Sequence, residues 1–434
     1  MLISFSVRNY KTFKERAEWS LVASADKLHE ATHVVELPQF KLRLLKSAVV
    51  YGANGSGKSK LFEALKFMRD IVLTSFTETK QGEPIGVVPF LLDTEAAMQP
   101  SEFEVLFQHD NELYRYGFEA NAEKIVAEWL YHRASTKETE LFYRDSSGIK
   151  FNKRFGTVVS GLIKENGVRD NTLVLSLAAQ LNQRFATQVQ TWFYKLIILS
   201  GLSSDDFLAY TMRFLKQASL RPAVVSLLQH TGVSMEDAEV DAPNEGEVKY
   251  PQGMPKEFRE HYLATLSEIR VNHRRYDANR LPVDEVSFSL ASDESAGTQK
   301  LFAFAGPLLD VLKIGAVLAV DELDSRLHPS LVCKIVQLFH TLSSNPNNAQ
   351  LLFNTHDTNL LSAGEFRRDQ IWFTEKDHYG AATLYSLADF KTNKVRKGDN
   401  FERNYIEGRY GAVPYLGDFA ALPTAMPLAD ENAG

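Results

Sequence analysis

The chain has 434 residues, of which 44% are hydrophobic and 24% are charged, and this composition is typical of a soluble globular protein with roughly two or three structural units. The formal net charge of −7 and the single cysteine, Cys333, exclude a general electrostatic attraction to nucleic acid, an internal disulfide framework and a thiolate zinc site. No apolar run reaches the roughly 18 residues of a membrane helix, and residues 1–7 lack the pattern of a signal peptide, so we expect a cytoplasmic protein without a membrane partner.

The first functional motif is a phosphate-binding loop, since residues 52–59 read GANGSGKS and match the P-loop pattern G-x-x-x-x-G-K-[ST]. The apolar run 48–51 predicts a strand before the loop, and the spacing of apolar residues in 60–68 predicts a helix after it. We predict that Lys58 reaches the β- and γ-phosphates of ATP and that the Ser59 hydroxyl ligates Mg²⁺. The predicted nucleotide-binding residues of this loop are Gly52, Asn54, Gly55, Gly57, Lys58, Ser59 and Lys60.

The next part of the chain alternates apolar and polar residues in the manner of antiparallel strands. The segments with this alternation are 101–108, 112–119 and 125–132, followed by a predicted hairpin of 140–144 and 149–151. We therefore expect an antiparallel sheet with one buried face.

The middle of the chain changes character. Apolar residues of 171–230 recur at helical spacing without a sustained heptad, which predicts a compact helical insertion, the alternative being a part of the nucleotide-binding core. Residues 236–247 are acidic and predict a mobile loop. Residues 270–280 carry four arginines, and 391–409 carry six basic residues against three acidic ones. Either basic segment could contact phosphate backbones, a solvated face and a subunit contact being the alternatives.

A second apolar run, 314–320, ends in the carboxylates of Asp321 and Glu322. Functional groups of parallel sheets lie at the carboxyl ends of strands. We predict that Asp321 holds Mg²⁺, directly or through water, and that Glu322 polarises the attacking water as a general base. An ordinary acidic turn after a strand is the alternative, and the P-loop upstream disfavours it.

Two further motifs surround this pair. Residues 295–299 read SAGTQ before a helical stretch, and Ser295, Gly297 and Gln299 are predicted to bind an anion at a helix N-terminus, a plain helix cap being the alternative. His356 follows the apolar run 350–353. We predict that His356 hydrogen-bonds the γ-phosphate, the alternative being a structural histidine.

These motifs resemble those of ABC-type ATPases of the SMC/OLD branch. GANGSGKS resembles the Walker A motif of that branch, VLAVDE its Walker B motif, ESAGTQ its signature motif, His356 its switch histidine and residues 323–325 its D-loop. The stretches RDQIWFTEK and GRYGAVP resemble compact phage-defence ATPases, among them RloA-like and AriA-like proteins. The resemblance covers residues 1–108 and 286–419 and implies an α/β fold, a P-loop ATPase head with a mixed sheet flanked by helices, an antiparallel β subdomain and a helical insertion. The Q-loop glutamine is not evident, and Gln81 and Gln108 are its candidates.

We accordingly expect a first half of the head in residues 1–155, a helical insertion with an acidic loop in 156–283, a second half of the head in 284–419 and a disordered tail in 420–434. The resemblance implies hydrolysis of ATP with Mg²⁺ by a homodimer or higher homo-oligomer that pairs its heads. It also implies a sensor or scaffold in bacterial anti-phage defence that gates a separate effector chain, a nuclease or toxin, with a nucleic acid or a phage protein as trigger. The alternative is a RecF- or SMC-like ATPase of DNA repair or recombination. A transporter subunit is disfavoured, and a TOPRIM nuclease domain is not expected because no D-x-D motif follows His356.

Overall fold

The computed structural model of the chain describes residues 1–202, 205–243, 246, 248–251, 253–255, 259, 262–263, 265–390 and 400–414. The predicted tail, 420–434, and residues 391–399 of the second basic segment lie outside the described residues. Within these described ranges, every helix is too short or too polar to cross a membrane.

Helices and strands both contribute to the structure, so the α/β class is confirmed. The strands in chain order are β1 (Leu2–Arg8), β2 (Ala17–Ser20), β3 (Val34–Leu37), β4 (Leu42–Leu45), β5 (Ser47–Tyr51), β6 (Ser101–His109), β7 (Glu112–Ala120), β8 (Ile125–Arg133), β9 (Thr139–Asp145), β10 (Gly148–Phe151), β11 (Leu196–Ser200), β12 (Asp237–Asp241), β13 (Glu268–Tyr276), β14 (Pro282–Ser289), β15 (Val317–Asp321), β16 (Gln350–Asn354), β17 (Ile371–Lys376) and β18 (Ala382–Ser386). The helices of four or more residues whose bounds lie within the described residues are α1 (Glu30–His33), α2 (Lys58–Thr74), α3 (Thr157–Asn166), α4 (Val174–Gln180), α5 (Arg184–Lys195), α6 (Asp205–Lys216), α7 (Arg221–His230), α8 (Ala296–Ile314), α9 (Pro329–His340), α10 (Asn359–Ser362) and α11 (Phe401–Ile406).

A six-stranded mixed sheet forms the centre of the fold, with the strand order β11-β15-β16-β5-β17-β18. The first five strands are parallel, and β18 is antiparallel to β17. Strands β5 and β16 are buried along their whole length and β15 along all but its last residue, as expected for parallel strands that are covered on both faces. Their carboxyl ends lie at one edge of the sheet, where β5 leads into the P-loop and β15 ends at Asp321.

A seven-stranded antiparallel sheet packs beside the central sheet, with the order β10-β9-β8-β7-β6-β1-β2. Buried and partly exposed residues alternate along β6 without interruption, which confirms the prediction of an antiparallel sheet with one buried face. Its buried face shares a core with α2 and α5, where the rings of Phe107 and Trp192 stack with centroids 4.1 Å apart. This packing fixes α2, and therefore the P-loop, between the two sheets.

The region 156–283 is not purely helical. Helices α4 to α7 confirm the helical prediction for 171–230, but β11 lies between them and pairs in parallel with β15. The reason is the apolar segment LIILS, which is long enough for an edge strand of the central sheet. The acidic stretch 236–247 is likewise not wholly a loop, because Asp237–Asp241 forms β12, buries Ala238 and pairs with β13.

Candidate nucleotide-binding site

The P-loop connects the buried strand β5 to α2. At Gly52, a Cβ atom would lie 2.4 Å from the carbonyl oxygen of Thr374, so the loop can follow this path only with glycine there. The Lys58 ammonium donates to the carbonyl oxygens of Gly52 at 2.7 Å and Ala53 at 3.1 Å. Burial lowers the pKa of Lys58, while the nearby carboxylate of Glu322 acts in the opposite direction. The ammonium is thus held within the loop beside the acidic residues that follow β15.

The two predicted carboxylates are positioned by one amide. The Asn354 side chain, at the end of β16, donates to the Asp321 carboxylate and accepts from the Glu322 N–H at 2.7 Å. Glu322 has a φ of 58°, in the left-handed region, so the chain turns sharply at this residue. The neighbouring strand β11 ends against the same turn, where a Cβ atom at Gly201 would lie 1.9 Å from the Glu322 carbonyl oxygen. Asn354 and Gly201 therefore fix the direction in which the Glu322 carboxylate leaves the sheet.

A cleft of about 640 Å³ brings the predicted catalytic groups together. Its lining residues are Thr12, Asn54, Gly55, Gly57, Lys58, Ser59, Lys60, Glu322, His356 and Lys376. The P-loop, the residue after β15 and the histidine after β16 thus face one space. His356 is exposed, and its backbone N–H donates to the Asp324 carboxylate at 3.1 Å. This contact joins the predicted switch histidine to the predicted D-loop.

The predicted signature residues lie elsewhere. Ser295 caps α8 by accepting from the Thr298 N–H at 3.1 Å, and the Gln299 amide donates to the carbonyl oxygens of Ala291 and Glu294, each at 3.1 Å. A Cβ atom at Gly297 would lie 3.1 Å from the carbonyl oxygen of Arg326. Among the described residues that line the cleft, none comes from 295–299. The predicted signature segment is therefore beside the predicted D-loop of its own chain and outside the cleft of that chain.

Lys300 is a functional candidate that sequence reasoning missed. Its buried ammonium donates to the carbonyl oxygens of Glu322 at 3.4 Å, Leu323 at 3.1 Å and Ser325. Burial lowers the pKa of Lys300 to about 8, although the Asp324 carboxylate acts in the opposite direction. Lys300 thus ties the N-terminal part of α8 to the turn that carries Glu322. A lysine on the apolar face of a predicted helix was the available signal.

Thr12, Lys376 and Asn354 were also missed. Thr12 and Lys376 line the cleft, yet they are distant from the P-loop in sequence, and no local pattern marks them. Asn354 follows an apolar strand directly, so its position at a strand end was a usable signal.

Neither Q-loop candidate lines the cleft among the described residues. Gln108 lies near Leu196 and Val317, the first residues of β11 and β15, and so at the edge of the sheet opposite to the P-loop. Gln81 is exposed in a turn after α2. His328, another residue near Asp321, caps α9 by accepting from the Ser330 N–H at 3.2 Å.

The arginines of 270–280 are largely paired with carboxylates. Arg270 lies 3.0 Å from Glu268, Arg274 lies 2.6 Å from Glu236, and Arg275 pairs with Asp284. These neighbours reduce the positive charge that β13 presents to solvent, which weakens the case for a nucleic-acid contact there.

The geometry defines the class of protein: a P-loop opposite strand-end carboxylates is a nucleotide-binding site of the P-loop NTPase kind. The family model described as "AAA domain, putative AbiEii toxin, Type IV TA system" matches residues 47–179 and 229–362, which is more than half of the chain. The chain therefore belongs to this AAA-domain family. The matched ranges contain the P-loop, Ser295, Asp321, Glu322 and His356. No curated protein matches the sequence.

Two solved structures are similar to the chain. The SMC head domain from Thermotoga maritima is 13% identical, with a TM-score of 0.40, and the match covers 89% of this chain and 98% of that one. The cbiO1 protein from Clostridium perfringens, part of the ABC transporter complex cbiONQ, is 16% identical, with a TM-score of 0.23, and the match covers 57% of this chain and 87% of that one.

Proposed function

We propose that the chain hydrolyses ATP to ADP and phosphate. The observation that carries this proposal is the single cleft in which Lys58, Ser59, Glu322 and His356 meet. Its volume of about 640 Å³ lies in the range of ordinary small-molecule sites, which suits a nucleotide. The backbone amides of the loop and the N-terminus of α2 would bind the phosphates, and the Lys58 ammonium would shift from its loop carbonyls to the β- and γ-phosphates.

Ser59 lines the cleft, whereas Asp321, the last residue of β15, is not among its described lining residues. Their oxygen atoms fit a magnesium ion held mainly by its nucleotide. The Ser59 hydroxyl and the Asp321 carboxylate are hard oxygen donors, and Mg²⁺ in NTPases is bound by one or two such groups together with phosphate oxygens. Among the described residues, no cluster of three or more histidine, cysteine, aspartate and glutamate side chains forms a separate metal site. When bound, Mg²⁺ would neutralise charge on the phosphates.

Glu322 is the proposed general base. Its carboxylate would accept a proton from a water molecule as the water oxygen bonds to the γ-phosphorus, while the bond from this phosphorus to the bridging oxygen of ADP breaks. Asn354 keeps the backbone of Glu322 in place through its 2.7 Å bond. His356 would donate a hydrogen bond to the γ-phosphate and so sense its release.

We further propose that two chains share each nucleotide. Ser295 and Gly297 lie outside the cleft of their own chain, yet they form a helix N-terminus suited to an anion. A second head would supply this helix start to the γ-phosphate, as the resemblance to the SMC/OLD branch implies. The symmetric arrangement would be a homodimer or a higher homo-oligomer.

At the level of the cell, we propose a cytoplasmic sensor or scaffold of anti-phage defence that gates a separate effector chain, a nuclease or toxin. The family description names a toxin and a type IV TA system, which supports a defence role with a second component. The trigger would be a nucleic acid or a phage protein. The ion pairs of the arginines on β13 make the alternative of a DNA repair ATPase the weaker one.

The test of the catalytic proposal is phosphate release by the purified full-length chain with ATP and Mg²⁺. Lys58→Ala should lose nucleotide binding, and Glu322→Gln should bind ATP while its turnover falls by at least about a hundredfold. The exposed residues Glu36 and Lys137 provide the matched controls, Glu36→Gln and Lys137→Ala, which should keep full activity. Wild-type turnover by Glu322→Gln would remove this residue from the role of base.

A further inference from the structure

Three exposed apolar side chains lie on two segments that adjoin residues lining the nucleotide cleft. Leu91, Leu92 and Tyr379 have exposed fractions of 66%, 72% and 70%. They come from two segments, the loop 88–92 and the turn 377–381 between β17 and β18, which we call the rim. A patch of large apolar residues next to a polar cleft is a feature of binding sites, since single exposed residues are commoner than clusters.

The two segments of the rim are in direct contact. The Asp377 carboxylate fixes the turn by accepting from the N–H groups of Tyr379 at 2.9 Å and Ala381 at 2.8 Å. At Gly380, which has a φ of 83°, a Cβ atom would lie 2.5 Å from Leu92 Cδ1. Glycine therefore allows the turn to close onto the loop, and Leu92 lies against the turn that carries Tyr379.

The rim is also joined to the P-loop. The Ala382 N–H donates to the Thr12 carbonyl at 2.7 Å, and a Cβ atom at Gly57 would lie 3.0 Å from the Ala382 side chain. Thr12 and Lys376 line the cleft. Asp377, the first residue of the turn that carries Tyr379, directly follows Lys376. The rim thus begins where the lining of the cleft ends, on the side contributed by β17.

We propose that the rim binds the nucleobase of the nucleotide whose phosphates the P-loop holds. The Tyr379 ring offers a flat face for stacking, and Leu92 offers an apolar surface beside the turn. Lys376, which lines the cleft, directly precedes this turn. The Tyr379 ring contacts the His378 ring at a centroid distance of 3.7 Å, which restrains it on the turn. The continuity of the rim with the cleft favours the base over a protein partner as its occupant. This inference rests on the proposed nucleotide-binding function.

The test compares ATP with inorganic tripolyphosphate, which has the phosphates without a base, by isothermal titration calorimetry of the full chain with Mg²⁺. Tyr379→Ala should weaken ATP binding by roughly tenfold or more, from the loss of one base–aromatic stack, and should leave tripolyphosphate affinity unchanged. Tyr379→Phe should bind ATP like the wild type, and Leu92→Asp should behave like Tyr379→Ala. Tyr194→Ala is the matched control, because Tyr194 is 62% exposed on α5.

The outcomes distinguish a failure of the base-binding proposal from a failure of the ATPase proposal. Unchanged ATP affinity in both Tyr379→Ala and Leu92→Asp would overturn the proposal that the rim binds the base. An equal loss of affinity for ATP and tripolyphosphate would also overturn it. Either result would leave the ATPase proposal standing. A partner protein that loses binding to these variants, without any change for ATP, would assign the rim to that partner and also overturn the inference. Failure of the wild type to bind either ligand would refute the ATPase proposal and the rim with it.

Discussion

The contact of Lys300 with the Glu322 turn yields a prediction about turnover. Replacement by methionine keeps the length of the side chain but removes the ammonium, and it leaves the carbonyl oxygens of Leu323 and Ser325 without this donor. A buried acceptor that loses its partner costs about 1–3 kcal/mol. If losing one of these hydrogen bonds misplaces Glu322 and raises the activation free energy by this amount, kcat falls by roughly tenfold to a hundredfold.

The pH dependence of kcat tests the role of the Lys300 ammonium specifically. With a pKa of about 8 in the folded protein, below its ordinary value, the Lys300 ammonium is mostly present at pH 7 and is lost as pH rises through 8. If the contact supports Glu322, wild-type kcat at pH 9 should be about a tenth of its value at pH 7. Lys300→Arg keeps its charge in this range and should lose this high-pH decline, even if its activity at pH 7 is reduced.

The pH dependence of kcat is measured by steady-state phosphate release at saturating ATP from pH 6.5 to 9.5. Lys313→Met is the control, because Lys313 is exposed at the other end of α8. ATP affinity should change little in Lys300→Met, since Lys300 does not line the cleft. A normal kcat in this variant, or the same high-pH decline in Lys300→Arg as in the wild type, would refute the reasoning.

Three other predictions follow from buried residues and close backbone contacts. Burial lowers the pKa of His33 to about 4 from an ordinary value of 6.5, so the stability that depends on neutral His33 is complete above pH 6.5 and decreases as pH falls toward 4. The loss of unfolding free energy between pH 7.5 and 5, measured in urea, should therefore be about 2 kcal/mol smaller in His33→Phe than in the wild type, and an equal loss in this variant would contradict the prediction. Asn354→Leu should reduce kcat by roughly tenfold or more, since Glu322 loses its 2.7 Å partner, and normal turnover in the phosphate assay would count against that role. Gly201→Ala should lower the midpoint of thermal unfolding by several degrees, because its Cβ atom would lie 1.9 Å from a carbonyl oxygen, and an unchanged midpoint would show that the turn can move.

Local patterns predicted the parts of the fold and site that are contiguous in sequence. The P-loop of 52–59 could be predicted because consecutive residues carry its chemistry. Strand β6 could be predicted because every second residue is buried, which gives an alternating sequence pattern. The positions of Glu322 and His356 followed from their places after apolar strands, and the structure brings both to the cleft with Lys58.

Long-range contacts could not be predicted in the same way. Strand β11 reads as part of a helical region, and only its pairing with β15 makes it a strand. Lys300 looks like any helical lysine until the Glu322 turn is placed against it. Thr12 and Lys376 are on opposite sides of the P-loop in the chain, and they meet at the cleft because β17 pairs with β5. Only the tertiary structure brings such residues to the candidate site.

The most direct test of the central claim is complementation between two inactive variants. Lys58→Ala should destroy the P-loop half of a site, and Ser295→Arg should destroy the signature half, so each variant alone is expected to be inactive. Mixed in equal amounts under conditions that exchange subunits, they should recover about a quarter of wild-type ATP turnover, because half of the dimers are mixed and each mixed dimer has one intact site. No recovery, with mixed dimers demonstrated by two affinity tags, would contradict a nucleotide shared between two chains.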